Sequence, residues 1–274
     1  MRKVGLLAAL AALTMLFCSC ANLTADGGAG PSSHLSEILQ RGELIVGTSG
    51  NMPPLNMAAK NGEVIGLEMD IVRMMADGMG VTLKIKTVPF HELLPNLESG
   101  NLDLVISGMT ITPKRNLSFA FAGPYMASGK SFLAKIETLA NAKDTAVANS
   151  PSTVLTALKG STSEEFVKMV IPKAQLITTD TYDQAIQLVR EDKAHAMVAD
   201  FPICAVAVFR FPEAGFISVH TPLTYEPYGI ALPPGDAHLL NWVENFLQTL
   251  EDGETLDFLY ERWFGNGDWI PMVW

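Results

Sequence analysis

The chain has 274 residues, 48% hydrophobic and 18% charged, with 19 Lys+Arg against 29 Asp+Glu and a formal net charge of −10. That length can bury the cores of two compact lobes, and the polar content excludes a multi-span membrane protein. An acidic surface with no basic cluster repels phosphate backbones, which excludes nucleic-acid binding.

Arg2 and Lys3 precede an apolar run from Val4 to Phe17, which leads into Cys18-Ser19-Cys20. A charged start, an apolar middle and a small residue before the cut predict a secretory signal over residues 1–19. The run is shorter than the ~20 apolar residues that a spanning helix needs. Cys20, after Ser19, resembles the cysteine of a bacterial lipobox, which implies lipidation there. Residues 20–33, rich in Gly, Ala and Ser, predict a flexible tether. With Cys18 removed and Cys20 acylated, only Cys204 remains, so the fold rests on its core rather than on a disulfide. Cys204 lies in an apolar stretch and is expected to be buried and inert.

Beyond the tether, strand-like and helix-like runs alternate. Strands are predicted at Glu43–Thr48, Val81–Thr87, Leu102–Ser107, Thr145–Ala148, Gln175–Thr178 and Ala194–Ala199. Helices are predicted at Leu67–Met79, at Glu92–Ser99, from Thr162, at Tyr182–Glu191, from Pro202, and twice between Ala237 and Phe264. Such alternation predicts an α/β protein with parallel sheets.

The common catalytic signatures are missing. The five histidines are scattered without zinc spacing, and neither a Gly-x-Ser-x-Gly elbow nor a dinucleotide-binding glycine fingerprint occurs. No cofactor or metal is therefore expected. Gly123 to Ser131 looks like a P-loop, but five residues separate its glycines where the motif needs four, so it is not expected to bind phosphate.

The informative segment is Ser107-Gly-Met-Thr-Ile-Thr-Pro-Lys-Arg115. Thr112-Pro113 is a helix start, with threonine at the N-cap and proline at N1. Lys114 and Arg115 then fall in the first turn, where the helix dipole disfavours cations. A site facing an anion accounts for them, and so does a solvated turn. Ser161 with Glu164 fits a capping box beside Thr162, whose role is structural or anion-binding. Asp200 ends a predicted strand, where it either caps the next helix or meets a ligand. Ser49, Ser107 and Asp200 all follow strand C-terminal ends, where open α/β sheets place ligands.

These residues resemble bacterial solute-binding proteins of the polar amino-acid type. The resemblance runs from about Leu44 to Gly265, through Val46-Gly-Thr48, Met52-Pro-Pro-Leu55, Gly66-Leu-Glu-Met-Asp70, Asp103 to Arg115, Lys159-Gly-Ser-Thr162, Ala196-Met-Val-Ala-Asp200, Tyr228-Gly-Ile-Ala-Leu232 and Arg262-Trp-Phe-Gly265. It implies a two-lobed periplasmic binding protein of type II-like form, each lobe a mainly parallel sheet flanked by helices. Two hinge segments, near 126–130 and 224–230, would join a discontinuous lobe 1 (34–127 plus 226–274) to lobe 2 (128–225). It implies that Arg115 clamps a ligand carboxylate with help from Thr110 and Thr162. Asp200 would take an ammonium group beside Ser107 and Gly108, and Phe90 would pack on the ligand side chain.

Ser49 stands where binders of basic amino acids often carry an acid, and Met52 where an aromatic is common, which favours a neutral amino acid. The implied partners are that small ligand and an ABC permease of the inner membrane, met by a periplasmic or cell-surface lipoprotein anchored through Cys20. Two alternatives remain on the same scaffold: a cyclohexadienyl-dehydratase-like enzyme and a non-transport sensory lipoprotein. The acids that would carry the enzyme are Glu92, Glu164 and Glu226, if one of them sits at the cleft centre with a raised pKa.

Overall fold

A computed structural model describes residues 33–135, 139, 145–218 and 222–274. The predicted signal, the lipidation site Cys20 and most of the tether lie outside the described residues. Ser33 caps helix α1 (His34–Arg41), its hydroxyl accepting from the Ser36 amide, and Gly42 ends the helix in the left-handed region. Strand β1 (Glu43–Thr48) follows. The segment up to the next helix forms a small antiparallel sheet, β2 (Asn51–Met52), β3 (Asn56–Ala58) and β4 (Val64–Ile65).

Helix α2 (Leu67–Met79) buries Leu67, Ile71 and Met75 of the predicted apolar spacing, with Met69, Val72 and Ala76 beside them, while Met74 and Met79 of that spacing are only partly buried. Then come β5 (Thr82–Thr87), α3 (Leu93–Glu98), β6 (Leu104–Val105) and the single-turn α4 (Pro113–Asn116). Strand β6 is shorter than the predicted Leu102–Ser107. The backbone bonds that flank it, Asp103 N–H to Ile45 O at 2.8 Å and Ile106 N–H to Gly47 O at 3.1 Å, nevertheless hold the whole run against β1.

The chain next runs through β7 (Ala120–Ser128) into β8 (Lys130–Ala134), with Gly129 between them. The strand predicted at Thr145–Ala148 is instead a single 3-10 turn, closed by Ala148 N–H on Thr145 O at 3.1 Å. The strand of this region is β9 (Val154–Leu158), which pairs in parallel with both of its neighbours. The alternating pattern at 145–148 is too short to tell a turn from a strand. Helix α5 (Thr162–Val170), β10 (Gln175–Thr179), α6 (Tyr182–Arg190), β11 (Ala196–Asp200) and α7 (Phe201–Arg210) complete this half. Strand β12 (Glu226–Leu232) leads back to α8 (Ala237–Asp252), α9 (Thr255–Tyr260) and α10 (Ile270–Val273).

The first large sheet has the order β5-β1-β6-β12-β7 and the second β10-β9-β11-β8. In the first, β1 pairs in parallel with β5 and β6, while β12 runs antiparallel to β6 and β7. In the second, β9 is parallel to β10 and β11, and β8 is antiparallel. Both sheets thus have a parallel core, and the antiparallel strands β7, β8 and β12 are the ones at the crossings between them. Two clusters of buried apolar residues hold the fold, the smaller one confined to the second sheet and its helices. Among the described residues, no helix is long and apolar enough to cross a membrane.

Candidate ligand-binding cleft

The ends of β1 and β6 build one wall. The Ser49 amide donates to Ser107 Oγ at 3.0 Å, Ser107 Oγ donates to Ser49 Oγ at 3.0 Å, and Ser49 Oγ donates to Asn56 Oδ1 at 3.1 Å. Asn56 Nδ2 in turn donates to Glu68 Oε2 at 2.7 Å. Glu68, fully buried at the start of α2, also accepts from the Gly108 amide at 2.6 Å and from the Tyr125 hydroxyl at 2.5 Å. Burial raises the Glu68 pKa, and the three donors only partly oppose that rise. Gly108 has φ +56, and a Cβ there would sit 2.3 Å from Met52 Sδ, so glycine is needed for the wall to close over that methionine. Met52 is only 1% exposed and packs behind Gly108.

Arg115 projects from the adjacent capped turn. Thr112 Oγ1 accepts from the Arg115 amide at 3.1 Å, as the Thr-Pro pair predicts. The guanidinium lies 5.8 Å from the Phe90 ring centroid and donates to Thr110 O at 2.8 Å. Its second Nη donates to Gly160 O at 3.2 Å, on the opposite side of the cleft. Burial lowers the Arg115 pKa, and the nearby carboxylates of Glu165, Glu226 and Asp200 act against that.

The opposite wall begins at Ser161, which caps α5 by accepting from the Glu164 amide at 3.2 Å. The Glu164 carboxylate accepts from the Gly160 amide at 2.6 Å, one residue before the N-cap, so the reciprocal half of the box is displaced by one position. Thr162, the first helical residue, has its hydroxyl 3.4 Å from Thr110 Oγ1 across the cleft and donates to Glu226 Oε2 at 2.9 Å. Asp200 stands at the N-cap of α7 but makes no capping bond there. It accepts instead from Lys130 Nζ at 2.5 Å. Lys130 Nζ also donates to Thr162 Oγ1 at 2.6 Å and lies 3.1 Å from Glu226 Oε2.

The two walls touch. Besides the Arg115–Gly160 bond, Lys114 meets Glu165 at 2.5 Å, and a Cβ on Gly160 (φ +74) would approach His91 Cβ to 2.8 Å. This is a closed arrangement of the cleft.

Of the residues predicted from sequence, Phe90, Thr110, Arg115, Thr162 and Asp200 converge on the cleft. Ser49, Ser107 and Gly108 form its hydrogen-bonded floor, and Met52 supports that floor from behind. Sequence reasoning missed Lys130 as a site residue and Glu68 beneath the floor. Lys130 belongs to the segment set aside as a broken P-loop. The available signal was a lysine heading the otherwise apolar strand Ser131-Phe-Leu-Ala134, since lysine is almost never fully buried unless paired.

Of the acids that would serve an enzyme, neither Glu226 nor Glu164 carries a raised pKa. Burial raises the Glu226 pKa, but Lys130 and the hydroxyls of Thr224 and Thr110 outweigh it, and the net shift is downward. Glu164 is also lowered, with Lys168 and the Gly160 amide outweighing its partial burial. Glu92 is half exposed, 3.9 Å from His91. Cys204 is buried, and burial pushes its thiol up to about 12, as expected of an inert cysteine. Among the described residues, no cluster of His, Cys, Asp or Glu has metal-binding geometry. A separate apolar groove of about 860 Å³ beside the crossing strands, lined by Phe201, Phe209, Tyr225, Trp263 and Phe264 among others, contains none of the predicted site residues.

Known proteins resemble this chain over most of its length. The family model of the bacterial extracellular solute-binding proteins, family 3, matches residues 44–266. The chain is 26% identical over 231 residues to the L-cystine-binding protein TcyJ of Escherichia coli K12, covering 84% of this chain and 86% of that protein. A solved binding component of an ABC transporter from Wolinella succinogenes, complexed with lysine, is 36% identical with a TM-score of 0.79, over 84% of this chain and 99% of that one. An ancestral amino-acid-binding protein, a precursor of cyclohexadienyl dehydratase, is 35% identical with a TM-score of 0.77, over 85% and 100%. The cyclohexadienyl dehydratase of Pseudomonas aeruginosa is 24% identical, over 94% and 93%.

Proposed function

Since this chain belongs to family 3 of the bacterial extracellular solute-binding proteins, we propose that it captures an amino acid with an uncharged side chain between its lobes and hands it to an ABC permease. The observation that carries this reading is Arg115. A capped turn holds its guanidinium over Phe90, bonded to Thr110 on one wall and to Gly160 on the other. A guanidinium so placed keeps donors for a carboxylate, and a ligand held there favours the closed form over the open one.

The lobes are taken as 34–127 plus 226–274 and 128–225, a division supported by the crossings of β7–β8 and of β12 between the two sheets. Thr110 and Thr162 flank the ligand carboxylate, Phe90 packs on its side chain, and Ser49, Ser107 and Gly108 form the floor. Ser49 supplies no acid to hold a cationic side chain, and Met52, predicted to line the ligand, lies instead behind the floor at Gly108 and offers no ring there. The protein acts outside the cytoplasm, tethered through an acylated Cys20 behind a cleaved signal. Against the dehydratase reading, Lys130 lowers the pKa of Glu226 at the cleft, and Glu164 is lowered as well, whereas a general acid needs the opposite shift.

The test is a thermal-shift screen against amino acids and small carboxylates, followed by calorimetry and small-angle scattering. An amino acid that raises the melting temperature and compacts the particle supports the reading. No shift with any of them, or turnover of a cyclohexadienyl carboxylate, overturns it.

A further inference from the structure

Lys130 is the most deeply buried cation near the cleft, its side chain 1% exposed beside Asp200 at 5% and Glu226 at 8%. Burying an ammonium is costly unless each of its hydrogens finds an acceptor. Here the three acceptors are Asp200 Oδ1, Glu226 Oε2 and Thr162 Oγ1. Thr162 also faces Thr110, whose carbonyl holds Arg115, so the two cations share one small polar region.

Charge counting gives the consequence. Arg115 and Lys130 contribute two positive charges, and Asp200 and Glu226 two negative ones. The balanced cleft accepts a zwitterion of no net charge. A ligand with an ammonium or guanidinium on its side chain brings an unbalanced positive charge into a poorly hydrated space already holding Lys130. In such a space charges interact more strongly than in water.

We propose that Lys130 is a specificity-determining residue: a tethered ammonium that occupies the acid acceptors of the cleft and turns away ligands with cationic side chains, while Glu226 keeps the balance at zero. This rests on the amino-acid-receptor reading and deepens it. It names the ligand class as amino acids whose side chain carries no positive charge, on grounds independent of Ser49 and Met52. Without Lys130, the two carboxylates face Arg115 alone, the cleft becomes net negative, and a cationic side chain supplies the missing charge.

The experiment measures selectivity rather than affinity, because a purely structural ion pair would weaken all ligands together. Glutamine, arginine and glutamate are titrated by calorimetry at neutral pH into the wild-type chain, Lys130→Gln, Glu226→Gln and the double variant Lys130→Gln/Glu226→Gln. Wild type is expected to prefer glutamine. In Lys130→Gln the arginine-to-glutamine affinity ratio should rise at least tenfold, about 1.4 kcal/mol. The double variant removes one charge of each sign and should keep the wild-type ratio. Glu226→Gln leaves an excess cation and should raise the glutamate-to-glutamine ratio at least tenfold, which decides the matter if Lys130→Gln does not fold. An arginine preference in wild type, ratios unmoved in the folded single variants, or a double variant that shifts as far as Lys130→Gln each overturns the proposal. If wild type binds amino acids and the ratios stay fixed, this inference fails while the receptor reading stands. If wild type binds no amino acid, both fail.

Discussion

Truncating Arg115 to alanine removes a side chain that bonds to both walls of the cleft. The guanidinium gives one hydrogen bond to Thr110 O at 2.8 Å and one to Gly160 O at 3.2 Å, leaving its other donors for a ligand carboxylate. Removing one partner of a desolvated charge pair costs ~2–5 kcal/mol. At ~1.4 kcal/mol per decade, affinity should fall between roughly 30-fold and several-thousand-fold. Stability should fall by about 1–3 kcal/mol, because truncation removes two hydrogen bonds from a partly buried guanidinium, each contributing about 0.5–1.5 kcal/mol. Arg115→Lys keeps the charge but loses the planar fork, so it should recover only part of the loss. Calorimetry with one identified ligand, and circular dichroism to establish folding, make the measurement. Wild-type affinity in a folded Arg115→Ala protein would refute the placement of the carboxylate and the cleft built around it.

Glu68 gives a pH signature. Its folded pKa is raised above the ordinary 4.5, so the native state holds a proton that the unfolded chain releases. Its contribution to stability is therefore present below the ordinary value and is lost as pH rises through the folded one. In melting curves taken between about pH 4 and 7, Glu68→Gln should gain relative to wild type as pH rises; a constant or opposite difference removes the effect. Gly160→Ala should obstruct closure, because the new Cβ would meet His91 Cβ at 2.8 Å. Ligand affinity should drop at least tenfold, with a stability cost of only about 1 kcal/mol from the left-handed backbone. Unchanged affinity in calorimetry would place the walls further apart than described. Cys20→Ala should move the protein from membranes to the soluble exported fraction, and mass spectrometry of the wild type should find an acylated N-terminus. Membrane retention of the variant with no acyl mass on the wild type counts against the anchor.

The elements legible in the sequence are those whose stability is local. Leu67–Met79 announces itself by apolar spacing and the Gly80 that ends it, and Thr112-Pro113 by the cap and fixed proline torsion that start α4. The first-turn position of Arg115 already suggested an anion, because the helix dipole acts over one turn whatever lies beyond it. Phe90 and Gly160 around the guanidinium argue against a solvated turn and support the proposed carboxylate clamp. Asp200 had two roles in sequence, and packing removed one: its side chain makes no cap and turns instead to Lys130, 70 positions away in the chain. Local propensity carries no information about such a pairing, so a lysine in an apolar strand and a glutamate under a glycine turn were invisible as site residues. Sequence alone thus determined the alternation of strands and helices, the capped turns and the positions where strands end beside a cleft. Tertiary structure decided which charges meet there, because burial gives an ion pair its strength only once distant strands exclude water from both partners.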